Sequence, residues 1–147
     1  MSRRRPRPPR RTPAPSAARS FDPSAPCPCG LPAAYGECCG RFHGGEATAP
    51  TAEALMRSRY AAFAVGDEAY LLRTWHPSTR PGRLDLADGP RWTGLEIVET
   101  TGGSAFHTEG TVTFRAHYTA DGRPGTQEEH SRFVRHEGAW VYLDAVT

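Results

Sequence analysis

Lysine and asparagine are absent from this 147-residue chain, and isoleucine occurs once, at Ile97. All 18 positions counted as lysine or arginine are therefore arginine, a skew that GC-rich coding produces and that weakens any argument from arginine number alone. No apolar run is long enough to span a bilayer, which excludes a membrane-spanning helix. Cysteine is confined to four positions, too few for a disulfide scaffold in a chain of 16.1 kDa. Neither a Ser/His/Asp signature, a phosphate loop nor H-E-x-x-H occurs, so no residue is assigned a catalytic role. What remains is a length and an apolar content of 37% that suit one packed domain plus tails.

The net charge of +2 conceals two opposite parts. Residues 1–20 hold seven arginines (Arg3, Arg4, Arg5, Arg7, Arg10, Arg11 and Arg19) and no acid, so the other 11 arginines face all 16 acids. An acidic body argues against nucleic acid binding across the domain face. The Pro/Arg/Ala/Ser-rich start has no apolar periodicity and reads, over residues 1–25, as a disordered tail. Such a tail is suited to weak, non-specific contact with nucleic acid, or is merely solubilising. No apolar segment follows the basic start, so the expected location is the cytoplasm.

All four cysteines fall within one short segment, Cys27-Pro28-Cys29 and, after eight residues, Cys38-Cys39. Two close thiol pairs joined by a short loop suit tetrahedral zinc, and four thiolates leave no open coordination position, the mark of a structural ion. Gly30, Gly36 and Gly40 mark the tight turns such a site needs. Two disulfides, a redox pair and clustered free thiols are the alternatives. The first needs an oxidising compartment, and the second lacks a C-x-x-C on a βαβ frame. His43, four residues after Cys39, is a candidate to replace a ligand or to support one, or is a solvent-facing loop residue. The segment resembles the SEC-C motif, the zinc module named for the C-terminus of the SecA translocation ATPase. Cys27, Cys29, Cys38 and Cys39 match its four ligand positions. The usual G-S-G-K stretch is replaced here by Gly30-Leu31-Pro32-Ala33, which removes a lysine from the surface SecA presents.

Downstream, Thr51 is placed to cap a helix in which Leu55, Met56, Tyr60 and Phe63 recur at helical spacing, with Gly66 ending it. Asp67 begins a second, short helix carrying Tyr70, Leu71, Thr74 and Trp75, stopped at His76-Pro77. Residues 78–91 read as a loop. From Trp92 the period becomes two: Leu95 and Ile97, then Val112 to Tyr118, a strand near 127–136, and Trp140 to Ala145. Turns at Asp121-Gly122 and Glu137-Gly138 separate the last three. The pattern predicts an α+β fold, an antiparallel meander with helices on one face.

Residues 26–147 also resemble the YchJ family of small bacterial proteins without an assigned activity. The likeness rests on the cysteine segment through Gly45, Thr51 to Tyr60, Thr74-Trp75-His76-Pro77-Ser78-Thr79-Arg80, Trp92 to Glu99, and Ser131-Arg132-Phe133. It implies a SEC-C zinc module over 26–46 and a cone-shaped domain over 50–147 similar to nuclear transport factor 2, with helices packed on a bent antiparallel sheet. One structural Zn2+ per chain follows from the same likeness. Since the similar module of SecA contacts other proteins, the resemblance implies an adaptor with a protein partner. The alternative is a small-molecule binder or enzyme using the cone's pocket, to which Arg57, Tyr60, Trp75, His76, Glu129 and Ser131 are the candidate contributors. Arg57 and Arg59 lie on or beside the apolar stripe of the first helix, where an arginine either supplies the cation of such a pocket or covers apolar surface and pairs with a nearby acid such as Glu53.

Overall fold

The computed structural model describes residues 21–87 and 89–146. The arginine-rich segment 1–20 lies outside them. In chain order the elements are a 3-10 turn at Tyr35–Glu37, α1 (Cys39–His43), α2 (Ala52–Val65), α3 (Glu68–Arg73), β1 (Arg91–Gly102), β2 (Glu109–Ala120), β3 (Arg123–His136) and β4 (Ala139–Val146). None of the described helices is long and apolar enough to cross a membrane.

Local chemistry sets the ends of α2 and α3. Thr51 Oγ1 accepts from the Ala54 amide at 3.0 Å, satisfying one donor that a helix start leaves free. Gly66 closes α2 in the left-handed region, at φ 80°. One residue later the Asp67 carboxylate accepts from the Tyr70 amide at 3.1 Å and starts α3. The second helix is shorter than the sequence pattern implies: it ends at Arg73, with Thr74 as its cap. Trp75 has left the helix and pairs in parallel with Tyr142 of β4. The amide of His76 donates to the Tyr142 carbonyl, and the Tyr142 amide to the Thr74 carbonyl, both at 2.8 Å. Sheet pairing outcompetes the helical pattern at this helix end because Pro77 prevents the helix from continuing.

The four strands form one antiparallel sheet in sequence order. Hairpin turns make that order the economical one, and β3 begins at Arg123, directly after the Asp121-Gly122 turn rather than near 127. Val112, Phe114 and Ala116 of β2 point inward. Their partners on β3 are Ser131, Glu129 and Gln127, so those three polar side chains share the inner face. Register shifts interrupt the ladders between Trp92 and Gly94, between Ile97 and Glu99, and between Arg132 and Phe133. An unmatched residue bends a strand and increases its twist, which curves the sheet around α2. The opposite face is charged: Arg115 pairs with Glu96 and Glu128, and Arg132 with Asp144.

The main core joins Leu55, Met56 and Tyr60 of α2 to Val112, Phe114, Phe133 and Trp140 of the sheet. A second cluster sets the four cysteines and Tyr35 against Ala61 of α2. Residues 21–25, assigned to the tail on composition, are tied to this second cluster through Phe21 and two backbone carbonyls. Phe21 meets the Tyr35 ring edge-on at 4.9 Å, the Tyr35 amide donates to the Ala25 carbonyl, and the Gly36 amide to that of Pro23, both at 2.8 Å. Phe133→Ala removes a side chain that is 1% exposed at the centre of the main core. It is expected to lower the unfolding free energy by about 3–5 kcal/mol, measured by urea denaturation.

Candidate metal centre and cavity

Cys27 and Cys29 sit on a tight turn closed by the Gly30 amide donating to the Cys27 carbonyl at 3.2 Å. Gly30 adopts φ 92°, which side-chain-bearing residues avoid. Gly36 and Gly40 serve differently from the turn role expected of them. Neither has positive φ; a Cβ on Gly40 would lie 2.7 Å from the Tyr35 carbonyl oxygen, and one on Gly36 would strike Pro23. Their bareness lets the chain pass close to itself, so that Cys38 and Cys39 at the start of α1 arrive opposite the first pair.

The four ligand atoms lie within 4.8 Å of one another, and Cys29 Sγ is 3.6 Å from Cys38 Sγ. Sulfurs about 2.3 Å from a tetrahedral zinc stand about 3.8 Å apart, so the cluster has the size of such a site. All four thiols are buried and free of disulfides. Hydrogen bonds from Cys29 and Cys39 bring the Cys27 thiol down to about 4. Those from Cys27 and Cys29, with burial, push Cys39 up. Four buried thiols gathered at this spacing form a donor set that fits a thiophilic metal.

His43 is neither a solvent-facing residue nor a ligand. It is 4% exposed, its Nε2 is 2.8 Å from the Ser58 carbonyl oxygen, and its Nδ1 meets the Tyr35 hydroxyl. A carbonyl only accepts, so Nε2 carries the proton and Nδ1 accepts from Tyr35. Both nitrogens are committed, and neither remains for a sulfur. Burial holds the imidazole below its usual pKa. Arg57 is likewise reassigned. It lies outside the cavity, donating through Nη1 to the Cys29 carbonyl at 3.0 Å and through Nε to Glu53 at 3.0 Å. From the other side, Arg73 donates to the carbonyls of Phe42 and His43 at the end of α1. These two arginines and His43 fasten the cysteine module to α2 and α3.

A cavity of about 260 Å³ opens between α2 and the inner face of the sheet. Of the sequence candidates, Tyr60, Trp75, Glu129 and Ser131 line it, joined by Trp92, Phe114, Gln127 and Tyr142. His76 does not. Its ring turns toward His136, at 5.0 Å between centroids, and its Nδ1 is 2.7 Å from Ser78 Oγ. The pairing of its backbone with β4 aims Trp75 at the cavity and His76 away, as alternation along an extended chain requires.

Of the two arginines that the sequence offers on this stretch of α2, the cavity takes Arg59 and not Arg57. Arg59 lines the cavity at 4% exposure. Its Nη1 donates to the Leu71 carbonyl and to Thr74 Oγ1, both at 2.8 Å. Its guanidinium lies 4.9 Å from the Trp75 ring and 4.8 Å from that of Tyr142. Among the described residues no carboxylate stands within ion-pair distance of it. Desolvation brings its pKa down to about 10, so it remains charged. Cation–π contacts contribute about 0.5–2 kcal/mol each. Burying an ion costs several kcal/mol, so the rings offset that cost only in part. The available signal was its position: Arg59 shares the helix face of Leu55 and Met56, an interior address for a charged residue. Across the cavity, Glu129 accepts from Gln127 Nε2 at 2.9 Å, with Ser131 Oγ at 3.4 Å.

Comparison with known proteins decides the lineage. A family described as "YchJ, middle NTF2-like domain" matches residues 51–145. The chain belongs to the YchJ family. A UPF0225 protein of Streptomyces coelicolor is 68% identical over 122 residues, covering 83% of this chain and 95% of that protein. A UPF0225 protein of Deinococcus radiodurans is 49% identical over 131 residues, covering 89% and 96%. Among solved structures, a SEC-C motif containing protein of Rhodopseudomonas palustris superposes with a TM-score of 0.73 at 29% identity, over 82% of this chain and 97% of that one. One from Psychrobacter arcticus gives 0.70 at 28%, over 83% and 82%. The YchJ chain described here therefore combines an NTF2-like domain with a cysteine cluster able to hold a metal.

The depressed His43 pKa carries a pH signature. A group whose folded pKa lies below its unfolded value of 6.5 contributes stability above that value and loses it as pH falls. Between about pH 7.5 and about pH 5.5, urea denaturation is expected to show a larger loss of stability for the native chain than for His43→Gln.

Proposed function

We propose that the four cysteines hold one structural zinc ion, and that the ion braces a domain whose working part is the cavity, a small-molecule binding site. Cys27, Cys29, Cys38 and Cys39 would be the ligands, closing the coordination sphere against substrate or water. Bound there, zinc would neutralise the thiolates and supply folding energy to a segment without a large core of its own. The observation that carries the binding reading is Arg59: a desolvated guanidinium, unpaired with any carboxylate among the described residues, in the wall of an aromatic-lined cavity. Two hydrogen bonds, two rings and the nearby Glu129 charge offset the cost of burying this ion only in part, and an anionic ligand would offset more of it.

The adaptor reading has a different support, the likeness of the cysteine module to that of SecA. The module here is fastened along α2 and α3 by Arg57 and Arg73, and its exposed large apolar side chain is Leu31. A protein partner would engage that edge.

Native mass spectrometry of the chain purified from its own host tests both. The expected result is one zinc per chain and a retained small molecule. Cys29→Ser is expected to lose the zinc and to lower the melting temperature. Zinc absent from the native chain would overturn the metal assignment. Capture of a protein partner that persists on zinc loading, is abolished by Leu31→Glu and leaves the cavity empty would replace the binding reading by the adaptor.

A further inference from the structure

Arg59 offers more than a charge. Its Nη1 is fully used by Leu71 and Thr74, while Nε and Nη2 have no hydrogen-bond partner among the described residues. Arg59 lines the cavity, which puts these two nitrogens within reach of a ligand bound there. Nε and Nη2 form the edge of a guanidinium that donates two parallel hydrogen bonds to the two oxygens of a carboxylate. The rings of Trp75 and Tyr142, each within 5 Å of the guanidinium carbon, hold that edge in place.

The sheet wall of the cavity adds the opposite charge. Glu129 projects from β3 onto the inner face because it pairs with the inward Phe114. A plain anion would feel its repulsion, and a phosphate dianion would feel it more. A ligand donor placed against Glu129 turns the repulsion into a hydrogen bond. Much of the remaining lining is aromatic and apolar, with Tyr60, Trp92 and Phe114 among it. The volume of about 260 Å³ lies at the small end of ligand sites and suits a single ring with short substituents.

We propose, resting on the small-molecule reading above, that the cavity takes a small aromatic or apolar acid whose carboxylate meets the free edge of Arg59 and whose hydrogen-bond donor, at the other end, meets Glu129. The ligand is bipolar because the cavity is: its lining holds one cation and one anion among aromatic and apolar side chains.

The test is an NMR titration of the full, zinc-loaded chain with three probes: 4-hydroxyphenylacetate, its amide and phenylacetate. The expected order puts 4-hydroxyphenylacetate tightest, with the amide weaker by roughly tenfold or more, the scale of a lost charge-assisted pair. Phenylacetate is expected to fall between them. Arg59→Lys keeps the charge but removes the fork, and is expected to shrink the preference for acid over amide. Should that variant fail to fold, Glu129→Gln serves instead. It lies on the sheet, and is expected to let phenylacetate approach the affinity of the hydroxylated acid. Acid and amide binding equally well at the cavity would overturn this inference and leave the small-molecule reading standing. Absence of any shift at cavity residues with all three probes would overturn both.

Discussion

Helix α2 is the constraint on which the rest of the molecule depends. Successive residues of a helix point about 100° apart, so Arg57, Ser58, Arg59 and Tyr60 reach different surroundings. Arg57 holds the cysteine turn, and Ser58 accepts from His43 through its carbonyl. The Ser58 hydroxyl donates to the Leu55 carbonyl at 2.8 Å and accepts from the Tyr70 hydroxyl at 2.7 Å. Arg59 and Tyr60 line the cavity. A rotation of this helix by a single residue would detach the cysteine module, break the polar cluster and withdraw the guanidinium together. The cysteine module and the cavity lie on two faces of one helix.

That arrangement gives the cysteine cluster a role at a distance. The segment from Phe21 to His43 lacks the size to stabilise itself, and its small core is completed by Ala61 and Val65 of α2. Holding the thiols together holds the carbonyls of Cys29, Phe42 and His43 where Arg57 and Arg73 need them. Those bonds immobilise α2 and α3, the elements that position Arg59 and its partners Leu71 and Thr74. A metal bound to the cysteines would thus stabilise the geometry of a cavity that it does not touch.

The inner face of the sheet departs from the usual partition of polar and apolar residues. Gln127, Glu129 and Ser131 face inward, while the outer face carries paired charges. The curved sheet makes this tolerable: its bulges open a gap near α2 where the inward polar side chains border a cavity rather than a packed core. The segment from Thr74 to Arg80 contributes by pairing with β4, by Thr79 donating to the Leu143 carbonyl at 2.7 Å, and by Arg80 donating twice to the Trp75 carbonyl. Together these hold Trp75 against Arg59.

Local signals determined a good deal of this protein. Thr51, Gly66 and Asp67 mark helix ends through hydrogen bonds and backbone preferences that span three or four residues. The alternation of Val112, Phe114 and Ala116 marks a strand and its buried face, and the spacing of the four cysteines marks a cluster able to hold a metal. Each of these is written in contiguous sequence because its physics is local. The placement of Arg57, Arg59, His43 and His76 was decided by tertiary structure. All four are polar residues on or beside apolar stretches, and periodicity cannot tell a charge that snorkels to solvent from one that is buried under aromatic rings. His43 became interior because a hydroxyl and a carbonyl from distant positions met both its nitrogens, and His76 faced outward because β4 claimed its backbone. Arg59 became the cation of the cavity because Trp75 and Tyr142, 16 and 83 residues further along the chain, closed over it when the sheet curved.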